Sequence, residues 1–432
     1  MMLIVYKIVS LVIFCCLYPF GRLRAARGSR LWQGRLGLID KVGPVSVWIH
    51  ASSVGEVRVI SYMVDYLRRA NPSPKIHVSV MTPAGYETAA AQFGDAVTIT
   101  YFPIDSTNVV RRTLDMIQPQ LIVIAETEIW PNLICEAGRR RLPLIMINGR
   151  MSEKAFGRYR IFQTSLGRLL RRYERLFVKS QADADRYRFF GIAPARCEVA
   201  GDMKFDAPLP ERCQEGVREI RRRAGFGVDD FLMVAGSTRN GEEAMMLDLL
   251  RTMSARYDKF RLIIAPRHIE RAGEIGVLLR DRNIRYVLFG QSSGTDKEDY
   301  KRDNVSCVVV DRVGLLNDLY LAADIAFVGG TLVDVGGHNL LEPVWAGTPV
   351  LFGPHLDNVN EAADYILSRN YGARVQSADE LTSLVENACS GKTAFAIKTE
   401  TDLACSATAR AGTYILEKLT NVRTALEKDH QA

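Results

Sequence analysis

Glu56 closes the segment HASSVGE (residues 50–56), directly after the apolar run VSVWIH (45–50). A carboxylate on a glycine turn beyond a parallel strand stands where a general base can meet a substrate proton. The same carboxylate also reads as a first-turn helix acid that complements the dipole. A second acidic site follows LIVIA (121–125), in the segment ETEIWPN (126–132), where Glu126 and Glu128 are two residues apart. If the backbone stays extended, both side chains face one way. A turn there would split them and leave one to brace the backbone. Metal ligation, hydroxyl binding and helix capping are all open to this pair.

A third group of residues suits anion binding. The stretch FVGGTLVDVGGHNLLEPVWAGTPVLFGPHL (327–356) carries two glycine pairs, Gly329-Gly330 and Gly336-Gly337, then His338, Asn339, Glu342 and Pro343 around a helix start. Glycine permits positive φ and close backbone approach, and a helix N-terminus offers N–H groups to an anion. GSTRNGEE (236–243) is a second glycine-hydroxyl turn with Ser237, Thr238 and Arg239. APRHIER (265–271) sets Arg267 and His268 just after a strand candidate, where a guanidinium can fork onto phosphate or carboxylate. GDMKFD (201–206) contributes Lys204. Each has a plainer reading as a cap or surface charge. Their shared position, at the carboxyl ends of strand candidates, is what argues for a ligand.

Two look-alikes are set aside. Asp183 and Asp185 have D-x-D spacing but lie in a polar helical stretch, and GKT at 391–393 lacks the earlier glycine of a P-loop. The eight cysteines form no C-x-x-C pair, which argues against both a zinc site and a disulfide framework.

These residues need positioning elements. Strand candidates run 45–50, 75–81, 97–102, 121–125, 142–148 and 176–180, then 231–236, 261–266, 285–289, 306–311, 324–330 and 348–353, alternating with helical stretches. Alternation of this kind means βαβ units and parallel sheets. Two series in 432 residues mean two doubly wound domains. The linker is expected at 206–211, where Pro208 and Pro210 forbid helix. Ligands are expected in the cleft between the domains. The segment 291–304 reads as a polar loop, and the charged helical stretch from Arg410 can pack on either domain.

Residues 2–20, MLIVYKIVSLVIFCCLYPF, carry one charge, Lys7. They read as a membrane-associated helix, with Lys7 and Pro19 shortening the clean apolar run. A signal peptide would carry its charge before the apolar run. Here residues 21–69 carry nine bases against three acids, most of the chain's net charge of +7. That bias keeps the chain beyond the anchor in the cytoplasm.

Taken in order, HASSVGE, AETEIWPN, NGRMS, GDMKFD, GSTRNGEE, APRHIER and FVGGTLVDVGGHNLLEP…GTPVLFGPH resemble the motifs of the 3-deoxy-D-manno-octulosonic acid (Kdo) transferases of lipid A–core biosynthesis, glycosyltransferase family 30. The resemblance covers roughly residues 30 to 360 and implies an α/β GT-B fold. It divides the chain into an N-terminal anchor (1–20), an acceptor-binding Rossmann-like domain (21–207) and a CMP-sugar-binding Rossmann-like domain (208–432). It also implies an inverting transfer of one or more Kdo units from CMP-Kdo to a tetra-acyl disaccharide phosphate, without metal. By motif, Glu56 becomes the base, and Glu126 and Glu128 shape the acceptor side. Lys204, Ser237, Thr238, Arg267, His268, Gly336, Gly337, Asn339 and Glu342 surround the donor. The partners implied are CMP-Kdo, a lipid A precursor and inner-membrane lipids, with no nucleic acid. The enzyme is then held at the cell inner membrane with its catalytic domains on the cytoplasmic side. Two positions depart from the family pattern, which usually has histidine where Arg239 stands and glutamate where Leu315 follows Gly314. The competing readings are a GT-B enzyme acting on a UDP-sugar, including a nucleotide-sugar epimerase, and a membrane-anchored nucleotide-sugar binder without catalysis. A Rossmann dehydrogenase would need a G-x-G-x-x-G after the first strand, which is missing.

Overall fold

The computed structural model of the protein describes residues 2–207, 214–289 and 305–431. It resolves into two compact units, residues 1–207 with 401–432, and residues 208–400.

The first unit is built on a seven-stranded sheet: β1 (Val45–Ala51), β2 (Ile76–Val80), β3 (Thr98–Tyr101), β4 (Pro119–Ala125), β5 (Leu144–Gly149), β6 (Arg175–Val178) and β7 (Cys197–Val199). Its order is β3-β2-β1-β4-β5-β6-β7 and every pairing is parallel. β1, β2 and β5 are buried along their whole length, which is why they read as continuous apolar runs rather than alternating ones. Helices cover both faces. Val57, Ile60, Met63, Val64 and Leu67 of the helix Val54–Arg68 pack on one side, with Leu133, Ile134 and Ala137 of the helix Pro131–Arg139 on the other.

The second unit repeats the plan with β8 (Phe231–Thr238), β9 (Phe260–Pro266), β10 (Tyr286–Leu288), β11 (Cys307–Val309), β12 (Ile325–Val328), β13 (Val350–Phe352) and β14 (Gly372–Arg374). The order is β10-β11-β9-β8-β12-β13-β14, again all parallel.

Strand order reverses between β1 and β4 in the first sheet and between β8 and β12 in the second. At such a switch point the loops beyond the carboxyl ends diverge and leave a crevice for ligand. The loops that diverge here begin at Ser52 and Glu126 in one unit, and at Arg239 and Gly329 in the other.

Several sequence expectations change. β7 and β14 were not anticipated, because three-residue edge strands leave no readable period. The first helix runs Met2–Ala26, beyond residue 20, with Pro19 inside it. The expected linker at 206–211 lies mostly, and the polar loop at 291–304 wholly, outside the described residues. The second domain does not run to residue 432. After Glu400 the chain returns to the first unit, where Ala407, Ala411, Ile415 and Leu419 of the helix Ala407–Gln431 join the core beneath the helix Val54–Arg68.

Candidate active site

In the first unit the site is assembled on the loops after β1 and β4. Ser53 caps the helix Val54–Arg68, its Oγ accepting from the Glu56 backbone N–H at 3.3 Å. Glu56 answers with its carboxylate, which accepts from the Ser52 N–H at 2.8 Å and the Ser53 hydroxyl at 3.0 Å. This is a capping box shifted by one residue, so the plainer sequence reading of Glu56 is realised in the geometry.

Capping does not account for its neighbours. Burial, helped by the Glu126 and Glu128 charges, pushes the Glu56 carboxyl up to about 7 against the pull of the Ser52 N–H. A surface cap has no use for two more carboxylates. A base that must be free to take a proton near neutral pH does.

Glu126 has φ 55°, so the chain turns sharply at the end of β4. The turn splits the two acids, as one of the sequence alternatives allowed. Glu126 Oε1 lies 3.3 Å from Lys179 Nζ. Glu128 makes no ion pair with Lys179, and burial raises its carboxyl too. Thr127 does the bracing, meeting the Tyr187 hydroxyl at 2.7 Å and the Arg150 N–H at 3.2 Å.

Lys179, just beyond β6, was not singled out in the sequence. It bridges Glu126 and Asp202, the latter at 3.2 Å, with only 15% of its side chain exposed. The available signal was its position after the strand LFV. Lys204 also belongs to this unit. It sits 3.6 Å from Asp202 and lies over the Phe205 ring. Asn148, the last polar residue of β5, holds this segment by accepting the Met203 N–H at 2.9 Å. His50 is buried and stacked 3.9 Å from Phe102, and burial drives its pKa down to about 3. It is a neutral packing residue.

In the second unit a cavity of about 360 Å³ opens beside the ends of β8 and β9, with Ser237, Arg267, Leu315, His338, Asn339 and Glu342 among its walls. Ser237 has φ 55°, a left-handed kink within the last residues of β8, where the pairing with β9 shifts register. Thr238 is fully buried. Its part is played by the backbone, whose carbonyl accepts the Arg267 N–H at 3.1 Å. The Arg267 side chain is exposed and its charge acts on Glu342, whose carboxyl burial raises.

The glycine loop is held by one buried acid, Glu242. Its carboxylate accepts N–H groups from Arg239 at 2.9 Å, Gly330 at 2.8 Å, Thr331 at 3.1 Å and Leu332 at 3.0 Å. Gly336 and Gly337 have φ 87° and 86°. A Cβ on either would come within 2.6 Å of Asn358 or Val359, so packing as well as conformation demands glycine. The helix that follows, Leu341–Trp345, has only five residues. Its dipole is correspondingly small, and the expected anion-binding helix end becomes a loop and side-chain matter. Asn339 supports that turn, donating to Glu342 Oε1 at 3.1 Å and accepting from the Leu341 N–H at 3.1 Å.

Two parallel, doubly wound units with ligand-type loops at both switch points define a GT-B fold. A UDP-GlcNAc 2-epimerase from Neisseria meningitidis shares it, with a TM-score of 0.51 and 13% identity over 87% of this chain and all of that one. The family model "3-Deoxy-D-manno-octulosonic-acid transferase (kdotransferase)" matches residues 30–207. A 3-deoxy-D-manno-octulosonic acid transferase from Haemophilus influenzae is 30% identical over 79% of each chain. A bifunctional glycosyltransferase/methyltransferase from Fusobacterium nucleatum is 35% identical over 79% of this chain, which spans only 52% of that protein. The chain belongs to the Kdo transferase family and is a glycosyltransferase.

Proposed function

We propose that this enzyme transfers Kdo from CMP-Kdo to a lipid A precursor in lipopolysaccharide biosynthesis, with inversion at the anomeric carbon. The observation that carries the mechanism is the Glu56 carboxyl, buried beside Glu126 and Glu128 and held near neutral. Glu56 takes the proton of the acceptor hydroxyl. The hydroxyl oxygen then bonds to the anomeric carbon, and the bond from that carbon to the phosphate oxygen breaks, with CMP leaving as the phosphate anion. Lys179 holds Glu126 in place. In the second unit Ser237, Arg267, His268, Asn339 and Glu342 serve the donor. Arg267 offers charge to the leaving phosphate, which stabilises the departing group where charge develops. Thr238, Gly336 and Gly337 shape the backbone there, and the family resemblance assigns Lys204 to the donor as well. In this reading the reaction needs no metal.

The helix Leu3–Ala26 is long and apolar enough to cross a membrane. We assign it as the anchor at the inner membrane, with the basic stretch after it on the cytoplasmic side. It suits an acceptor that stays in the bilayer. The test is incubation of the full-length protein with CMP-Kdo and a tetra-acyl disaccharide phosphate in EDTA, with mass analysis of the lipid. Lipid heavier by one or more Kdo residues is the expected result. No product from CMP-Kdo, with transfer from a UDP-sugar instead, overturns the donor assignment. Activity that EDTA abolishes and magnesium restores overturns the metal-free mechanism.

A further inference from the structure

Arg239 is a cation that the proposed transfer mechanism does not use. Its Nε donates to His338 Nε2 at 3.0 Å, and its Nη1 lies 2.9 Å from His268 Nε2. A guanidinium only donates, so both imidazoles present the Nε2 lone pair and carry their proton on Nδ1. No carboxylate pairs with Arg239 among the described residues. Its positive charge is thus oriented by two neutral rings and not neutralised. Arg239 is not itself part of the cavity wall, but its hydrogen-bond partner His338 is. Arg267 forms part of the wall. Burial keeps the His338 pKa below the usual value, and the charges of Arg239 and Arg267 lower it further. Arg267 and His338 thus share one cavity wall, and Arg239 is bound to His338.

The proposed donor also has two anions close together. In a CMP-activated ulosonic acid the anomeric carbon carries the phosphate oxygen and the carboxylate. We propose that Arg239 binds the carboxylate of the transferred sugar while Arg267 faces the phosphate, which makes Arg239 a specificity-determining residue for donors with an acid at the anomeric carbon. The inference rests on the CMP-Kdo reading. It explains why a guanidinium, able to fork onto a planar carboxylate, is held by imidazoles and not by an acid. A glutamate partner would hold the arginine equally well and cancel the charge the sugar needs. His268 and His338 act as positioning residues.

The test is calorimetric titration of full-length protein in detergent with CMP-Kdo and with CMP, in the absence of acceptor. The readout is the ratio of the two affinities, which does not change if a variant is partly unfolded. Arg239→Gln can still donate to an imidazole but carries no charge. It should weaken CMP-Kdo binding by about 10- to 100-fold, the scale of a charge-assisted hydrogen bond, and change CMP binding less than about twofold. Arg239→Lys should recover part of the preference. An unchanged ratio in Arg239→Gln overturns the inference, whether both ligands weaken together or neither does. Parent protein that binds CMP but prefers CMP-Kdo by no margin also overturns it, with the nucleotide site intact. Parent protein that binds neither ligand overturns the donor reading itself.

Discussion

At the scale of single residues, Glu56 has two jobs that one substitution can separate. Its carboxylate completes a helix cap with Ser52 and Ser53, and glutamine fills that position in capping boxes as well as glutamate does. Glutamine cannot take a proton. Glu56→Gln should therefore keep the helix and lower turnover by about 10²–10⁴-fold, the usual contribution of a positioned base. A variant that turns over near the parent rate removes Glu56 from the chemistry. The parent enzyme should show a rising limb in kcat/KM centred near pH 7, because the carboxyl must lose its proton to work and burial holds it at about 7. The stability consequence has the opposite sense. A carboxyl raised in the folded state favours folding less as pH climbs from its unfolded value toward 7. Glu56→Gln should thus gain melting temperature relative to the parent at pH 8 compared with pH 5. Glu56, Glu126 and Glu128 were legible as acids beyond strand ends. Lys179 and Asp202 were not, since their pairing depends on β6 and β7 lying side by side. Nor could the sequence say that Thr238 is buried and acts through its carbonyl.

At the scale of elements, the loop between β12 and the short helix Leu341–Trp345 is where sequence reading was strongest and incomplete. Its glycines announced a special backbone. What holds that backbone is Glu242, some 90 positions earlier, which no local pattern connects to it. One buried carboxylate satisfies four N–H groups, and each would otherwise be an orphan donor costing about 1–3 kcal/mol. Glu242→Ala should destabilise the second unit by about 3 kcal/mol or more and weaken CMP binding through the displaced loop. Urea unfolding and nucleotide titration check the two effects. A variant with the parent's unfolding midpoint would mean that water replaces the carboxylate and that the brace is dispensable. Strand positions were legible wherever burial on both faces produced an apolar run, as in β1, β4, β8 and β9. The failures were β7 and β14, three-residue edge strands that depend on a partner already in place.

At the scale of the whole molecule, the sequence left open where the terminal helix Ala407–Gln431 belongs. Its buried residues Ala407, Ala411, Ile415 and Leu419 recur every four positions, a stripe that suits any apolar helix face. Shape decides the partner. Gly412 lies against the Tyr66 ring, where a Cβ would come within 2.3 Å, and the Tyr66 hydroxyl meets Thr413 Oγ1 at 2.9 Å. Farther along, the Tyr414 hydroxyl donates to Glu174 at 3.2 Å, and Lys418 pairs with the same carboxylate. The helix therefore closes the first unit over the helix Val54–Arg68, whose first turn carries Glu56. Burying an isoleucine and a leucine contributes about 1.5–3 kcal/mol each, a large fraction of the roughly 5–15 kcal/mol that stabilises a domain. Ending the chain at Ser406 should loosen the first unit and leave the second intact. Hydrogen exchange read by mass spectrometry should then show lost protection in residues 45–68, with β8 and β12 unchanged. Transfer should fall while CMP binding persists, because the proposed base and the proposed nucleotide cavity lie on different units. Loss of protection in β8 and β12 first would assign the helix to the second unit. Unchanged exchange throughout would make it an ornament on a core that is complete without it.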